Sequence, residues 1–350
     1  MGDYFSIRWM DGMVRMLDQR LLPEKEVYRD FTNCIEVVEA IRKMVIRGAP
    51  AIGVAAGFGL ALTAWHSRAA EVDRFKKELR EGAEELRRSR PTAVNLFTAI
   101  QRIESIVDQA GHMSLEQLKL KIVAEAQKIA TEDAQMDLQM AENGQPLIPG
   151  RATLIHHCNT GALATGGIGT ALGVIRVAYQ KGKKIHIYVD ETRPLLQGAR
   201  LTSWELKQLG IPHTVIVDGA SGYIMKTQHI DACLVGCDRI AANGDVANKI
   251  GTYNLALAAW AHGVPFYSVG PTTTIDMRLA TGDEIPIEER PASEITQIGI
   301  TQITPDEVEI ANPAFDITPA KYITAIITDK GVARPPYEQS LYKLMSDTNR

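Results

Sequence analysis

Leu154-Ile-His-His-Cys-Asn-Thr-Gly-Ala-Leu-Ala-Thr-Gly-Gly-Ile-Gly169 is an apolar run that ends in two histidines and a cysteine. A neutral stretch rich in Gly, Ala and Thr follows. This pattern predicts a strand that carries a thiol to its tip, then a loop whose backbone can approach a ligand closely. Outward from here the rhythm is strand and helix in alternation. Strands are expected over 152–158, 184–189, 213–217, 232–235 and 265–269, with a further β-rich run at 322–328. Helices are expected over 167–180, 199–209 and 252–261. Such alternation argues an α/β fold with a Rossmann-like, doubly wound, mostly parallel sheet. Ligands gather at the carboxyl ends of such strands. Cys158, Asp190-Glu-Thr-Arg193 and Gly236-Cys-Asp238 all fall there.

Upstream the character changes. Ile35, Val38, Ile41 and Val45 recur at helical spacing, 71–90 is a charged helix, and 115–143 is another long helix. Asn143-Gly-Gln-Pro-Leu-Ile-Pro-Gly-Arg151 holds the strongest stop signals in the chain. The sequence therefore predicts a mainly helical N-terminal domain over 1–145 and the sheet domain over 146–350. The first 25 residues suggest a small strand pair, and the polar stretch from Arg334 to Arg350 a loosely held tail.

Composition narrows the classes. The 350 residues carry 38 basic and 42 acidic side chains, a net charge of -4, with few aromatics, which argues against general nucleic-acid binding. Four cysteines in a chain this long read as reduced thiols of a cytoplasmic protein. No signal peptide is evident. Gly48 to Trp65 is uncharged and close to spanning length, but its Ala and Gly content predicts a buried helix packed through Gly53 and Gly57, with no membrane role.

Four chemistries compete for the motifs. Gly167-Ile-Gly169-Thr-Ala-Leu-Gly173 followed by Asp190 imitates a dinucleotide fingerprint, but Cys158 to Thr165 intervenes between strand and glycines. His156, His157 and Cys158 are adjacent, and neighbours on a strand face opposite ways, so no metal site is expected. Cys158 and Asp238 at two strand ends suit acid–base chemistry: a thiol near a helix start as base or nucleophile, and an acid past a buried strand as proton donor. Finally, Ala247-Asn248-Lys249-Ile-Gly251-Thr252 opens a helix with free amides and a lysine, which suits phosphate. Arg47 with Gly48 and Ala49, Arg90, and Gln197 are further candidate donors for one phosphate monoester.

Arg47-Gly-Ala-Pro-Ala-Ile-Gly53, Arg90-Pro-Thr-Ala-Val-Asn95, His157-Cys-Asn-Thr-Gly161, Glu191-Thr-Arg-Pro-Leu-Leu-Gln-Gly-Ala-Arg-Leu-Thr202 and Gly236-Cys-Asp-Arg-Ile-Ala-Ala-Asn-Gly-Asp-Val-Ala-Asn-Lys-Ile-Gly-Thr252 together resemble the methylthioribose-1-phosphate isomerases. The resemblance covers nearly the whole chain. The same superfamily holds ribose-1,5-bisphosphate isomerases and the alpha, beta and delta subunits of the translation-initiation exchange factor. It implies an aldose–ketose isomerase of methionine salvage, usually a homodimer, with no metal or organic cofactor. It assigns Cys158 and Asp238 as the catalytic pair, and Arg47, Gly48, Ala49, Arg90, Gln197, Asn248 and Lys249 as substrate-binding positions. His156 receives no role. The C5 substituent accepted, methylthio, deoxy or phosphate, stays open, as does a non-catalytic regulatory subunit. Proton transfer by Cys158 and hydride transfer past it both fit.

Overall fold

Helix starts and stops in the first half follow local chemistry. The computed structural model describes residues 4–90, 94–111 and 113–346. The chain divides into two compact units, one of residues 2–138 with 161–169, the other of 139–160 with 170–350. The division at 138/139 falls inside a helix, a few residues before the 145/146 junction expected from the glycines and prolines.

The N-terminal unit opens with an antiparallel sheet of three strands, β1 (Ile7–Trp9), β2 (Val14–Leu17) and β3 (Tyr28–Phe31), where the sequence suggested a pair. Helix α1 (Cys34–Arg42) begins where the Asn33 side chain accepts from the Glu36 amide at 2.9 Å. Helix α2 (Ala49–His66) is the uncharged stretch, and it is buried within this unit. Its small residues admit close neighbours: a Cβ on Gly53 would lie 3.0 Å from Asn95, and one on Gly57 3.4 Å from Ile129. Helix α3 (Val72–Ser89) turns Phe75, Leu79, Ala83 and Leu86 inward, and its charges face water. Helices α4 (Val94–Asp108) and α5 (Leu115–Gly144) complete the unit, α5 running on past Leu138. In the sequence Pro91 is placed to stop the charged helix and open the next, but it lies outside the described residues.

In the second unit β4 (Arg151–His156), β5 (Lys184–Asp190), β6 (His213–Ile216), β7 (Ala232–Val235), β10 (Phe266–Val269), β15 (Ala325–Thr328) and β16 (Gly331–Ala333) form one sheet. Its order is β16-β15-β10-β7-β4-β5-β6, and all neighbours are parallel except β15 and β16. The inner strands are apolar on both faces, as a doubly covered parallel sheet requires; β7 and β10 are buried at every residue. Helices α6 (Ala171–Gln180), α7 (Ser203–Leu209), α8 (Ser221–Thr227) and α9 (Thr252–Ala261) connect the strands. A second sheet joins β8 (Arg239–Ala241), β9 (Val246–Lys249), β11 (Ile275–Asp276) and β14 (Phe315–Thr318). Short α10 (Ser293–Thr296) precedes the hairpin β12 (Gln297–Ile298) and β13 (Thr301–Gln302).

The tail differs from expectation. Residues 337–346 form helix α11, held by buried Tyr337 and Leu341, and the Tyr337 hydroxyl donates to the Ile323 carbonyl at 2.8 Å. Two apolar anchors among polar residues gave too weak a period to read.

Candidate active site

Strand register brings the chemistry to one edge of the large sheet. His156 pairs with Val189 on one side and Leu234 on the other, so β7, β4 and β5 end side by side. Cys158 lies just beyond β4, the Gln197 turn follows β5, and Asp238 follows β7. This is the carboxyl edge, where ligands of parallel sheets collect.

Cys158 is not on the strand itself. β4 stops at His156, and Cys158 adopts φ +67°, a left-handed conformation that costs a non-glycine residue about 1–3 kcal/mol unless its surroundings enforce it. They do. The Cys158 amide donates to Thr192 Oγ1 at 2.9 Å, and its carbonyl accepts from Thr202 Oγ1 at 2.7 Å. Cys158 as a whole is 8 % exposed. Asn159 donates to Glu205 at 2.6 Å. Thr160 fastens the turn to the next helix: its hydroxyl accepts from the Leu172 amide at 3.0 Å. That helix starts at Ala171, later than the expected 167. Gly161–Gly169 belongs instead to the N-terminal unit.

Within that unit the buried Asp133 and Asp137 of α5 hold this segment. Asp133 accepts from the Gly166 amide at 2.6 Å; Asp137 accepts from Thr165 Oγ1 at 2.6 Å and the Gly169 amide at 2.8 Å. Burial pushes both carboxyls up, Asp133 to about 6 and Asp137, which also feels Asp133, to about 8.

The loop after β5 is a second constrained element. Thr192 and Leu196 have positive φ. A π-helical turn over Gly198–Thr202 runs into α7, a distortion that favours functional positions. A Cβ on Gly198 would lie 1.8 Å from the Asp190 carbonyl, so only glycine fits. Gln197 is 6 % exposed, and its Oε1 has no hydrogen-bond partner among the described residues. A buried orphan acceptor suits a ligand hydroxyl.

Asp238 is half-buried, and its amide donates to the Ala247 carbonyl at 2.8 Å. Asn248 is buried on β9 and donates to Thr252 Oγ1 at 2.9 Å. Lys249 reaches the Ala314 carbonyl at 2.8 Å and lies over the Phe315 ring. In the N-terminal unit Arg47 donates to Gln19 Oε1 at 3.1 Å, while Gln19 donates to the Leu163 carbonyl at 2.7 Å. Gly48 caps α2 at φ +94°, and a Cβ there would meet the Ala164 carbonyl at 2.5 Å. Ala49 opens α2, and Arg90 closes α3.

Sequence reasoning missed a group behind these residues. His157, Asp190 and Asp218 converge, their ligand-type atoms within 4.8 Å of one another. Asp218 accepts from the Thr192 and Arg193 amides, both at 2.7 Å, and Asp190 accepts from Ser221 Oγ at 2.6 Å. A histidine and an aspartate, each at the end of an inner strand, were the available signal. His156 diverges from its neighbour as strand alternation requires: its Nδ1 bonds the Leu234 carbonyl at 2.8 Å, and burial pushes it down to about 4. The four cysteines are free, with Cys233 in the core.

Fold and site together define a mixed α/β protein with a helical N-terminal unit, a mostly parallel sheet and a buried thiol at that sheet's carboxyl edge. Comparison with known proteins gives the class its name. The chain belongs to the initiation factor 2 subunit family, whose model matches residues 45–335. It is 54 % identical over 344 residues to methylthioribose-1-phosphate isomerase 2 of Pseudothermotoga lettingae, covering 98 % of this chain and 99 % of that one. A crystal structure of 5-methylthioribose 1-phosphate isomerase from Pyrococcus horikoshii superposes with a TM-score of 0.94 at 46 % identity, covering 98 % of this chain and 96 % of that chain. A crystal structure described as translation initiation factor eIF-2B subunit delta, from A. fulgidus, gives 0.89 at 42 % identity, covering 98 % and 100 %.

Proposed function

We propose that this protein is an aldose–ketose isomerase that converts 5-methylthioribose 1-phosphate to 5-methylthioribulose 1-phosphate in methionine salvage. The carrying observation is its 54 % identity, end to end, to a protein of that name. We assign Cys158 and Asp238 as the reacting pair. Arg47, Gly48, Ala49, Arg90, Gln197, Asn248 and Lys249 are the substrate-binding set. The working form is a cytoplasmic homodimer that needs no organic cofactor.

The substrate's chemistry explains why an acid and a thiol are needed. The anomeric oxygen is esterified to phosphate, so the ring cannot open to a free aldehyde. Asp238 protonates the ring oxygen as its bond to C1 breaks. Hydrogen then moves from C2 to C1, and the C2 hydroxyl proton leaves to give the ketone. In one route Cys158 removes the C2 proton; in the other hydride crosses to C1 while Cys158 positions the substrate or takes the hydroxyl proton. Burial of Cys158 disfavours a full thiolate unless a cation lies near, and of the two routes we favour hydride transfer.

The test is turnover by the purified protein of substrates that differ only at C5. Methylthioribose 1-phosphate is expected to give the highest kcat/KM; preference for a C5 phosphate or C5 hydrogen would reassign the substrate. No turnover of any of them would favour a regulatory subunit, the reading that the A. fulgidus neighbour's description invites. Cys158→Ser and Asp238→Asn are each expected to lower kcat by at least about 10³-fold with substrate binding largely retained. With deuterium at C2, complete loss of label to solvent would exclude hydride transfer.

A further inference from the structure

Two adjacent histidines at the end of β4 are equally buried and chemically opposite. His156 has one strong partner, the Leu234 carbonyl, and a weaker contact to Thr160 Oγ1 at 3.3 Å. His157 has an acceptor at each ring nitrogen: Asp190 Oδ2 lies 3.0 Å from Nδ1, and the Ile250 carbonyl 2.9 Å from Nε2. A carbonyl can only accept, so Nε2 carries hydrogen. Burial raises the Asp190 carboxyl, while its hydrogen bonds to His157 and Ser221 pull it back down; with Asp190 ionised it only accepts, so Nδ1 carries hydrogen too. The ring then holds both protons and a positive charge.

The position of that charge gives it a use. His157 is bonded directly to Cys158. Its carboxylate partner ends the strand whose next residues, through Thr192, hold the Cys158 amide. Its carbonyl partner is Ile250, the residue after Lys249. Across the ring, Gly251 packs so closely that a Cβ would come within 2.8 Å of Cε1. One imidazolium thus fastens the turn that carries the thiol to the residue that follows Asn248 and Lys249 at the end of β9. The ionisable groups around it are Asp190 on β5, Asp218 in the turn before α8, Asp316 on β14 and His156 on β4. Three of the four are acids, and the fourth is held neutral. Burial opposes the charged ring, yet the hydrogen bond to Asp190 and the charges of Asp190 and Asp218 outweigh it and raise the histidine above its ordinary value.

We propose that His157 is a positioning residue held as a buried imidazolium, which locks the Cys158 turn to the end of β9 that carries Asn248 and Lys249 and supplies fixed positive charge one residue along the chain from the reacting thiol. The role in turnover rests on the isomerase reading above; the charge state and its effect on the thiol do not. A fixed cation there favours negative charge developing on sulfur or on an enediol-like oxygen, with no reorganisation during the reaction.

The test uses the full-length enzyme with ¹⁵N-labelled histidine. At pH 7.5 the wild type is expected to show one buried ring with both nitrogens protonated. His157→Asn should lower kcat by about 10²-fold or more while KM for methylthioribose 1-phosphate moves less than about threefold. Asp190→Asn keeps an acceptor but removes the countercharge, so His157 should lose a proton at neutral pH. The ratio of its kcat to that of wild type should then rise as pH falls from 8 to 6 and the ring recharges, a response that a packing defect would not give. A singly protonated His157 ring in the wild type, a pH-independent Asp190→Asn ratio, or near-normal kcat in His157→Asn overturns the proposal. If His157→Asn does not fold, the wild-type spectrum and the Asp190→Asn ratio decide. If wild type does not turn over the sugar phosphate, the isomerase reading falls separately. Iodoacetamide labelling of Cys158 at pH 7.5 then decides the inference: slower in Asp190→Asn than in wild type supports it, and equal rates overturn it.

Discussion

Replacing Asp137 by Asn should make the protein steadily more stable relative to wild type as pH rises. Asp137 is nearly inaccessible on α5, and its Oδ2 accepts from Thr165 Oγ1 and the Gly169 amide. Burial, with Asp133 nearby, pushes this carboxyl from 3.8 to about 8. A native pKa above the unfolded one means that the folded state binds the extra proton. Stability is therefore full below about pH 4, falls as pH rises between the two values, and levels off above the native one. One such group costs about 1.36 kcal/mol per pH unit within that window, so from pH 5 to 7.5 the loss is about 3 kcal/mol. Asparagine has the shape of the protonated acid and cannot ionise, and its amide oxygen can take the Oδ2 position. Urea unfolding of both proteins at pH 5, 6.2 and 7.5 measures the effect. The Asn variant's advantage should widen across the series by about 2–3 kcal/mol, the lower figure allowing for local relaxation around the charge. A constant offset between the two proteins would refute the reasoning, because it would mean Asp137 carries the same charge in the folded and unfolded chains throughout that range.

Three further outcomes follow from single residues. Gly251→Ala should destabilise the protein by about 1–3 kcal/mol, since Gly251 has φ +100° and its Cβ would press on His157; an unchanged thermal midpoint would contradict that geometry. Phe75→Ala, at a fully buried position on α3, should cost about 3–5 kcal/mol by urea titration, and a loss under 1 kcal/mol would mean the helical core closes over the gap. Tyr337→Phe removes only the hydroxyl bonded to the Ile323 carbonyl, so a loss of about 1 kcal/mol is expected; no change in the urea midpoint would show that this bond does not anchor α11.

The strands of the sheet were legible because inner parallel strands are apolar on both faces, and their runs stand out in a chain that is otherwise mixed. β7 and α9 have the bounds expected for them. The helix after Cys158 was misplaced because Gly167 to Ile168 continues an apolar pattern, while the acids that capture this segment lie on α5, too distant in sequence to be inferred. The left-handed backbone of Cys158 has no sequence signal at all; the hydroxyls of Thr192 and Thr202, some forty residues along the chain, hold it. The motif residues could be singled out by type and position. The network behind them could not, because a histidine's charge depends on what its two nitrogens meet.

The assignment of Gly161–Gly169 to the helical unit has a consequence for synthesis. On the ribosome, helices α1 to α5 emerge well before this segment, yet the carboxyls of Asp133 and Asp137 stay unmatched until it arrives. At roughly 5–20 residues per second the delay is a few seconds. During that time Asp133 and Asp137 lack the Thr165, Gly166 and Gly169 donors that the folded unit gives them. Those donors come shortly after the thiol in the chain, so the N-terminal unit can reach its final form only once Cys158 has been made.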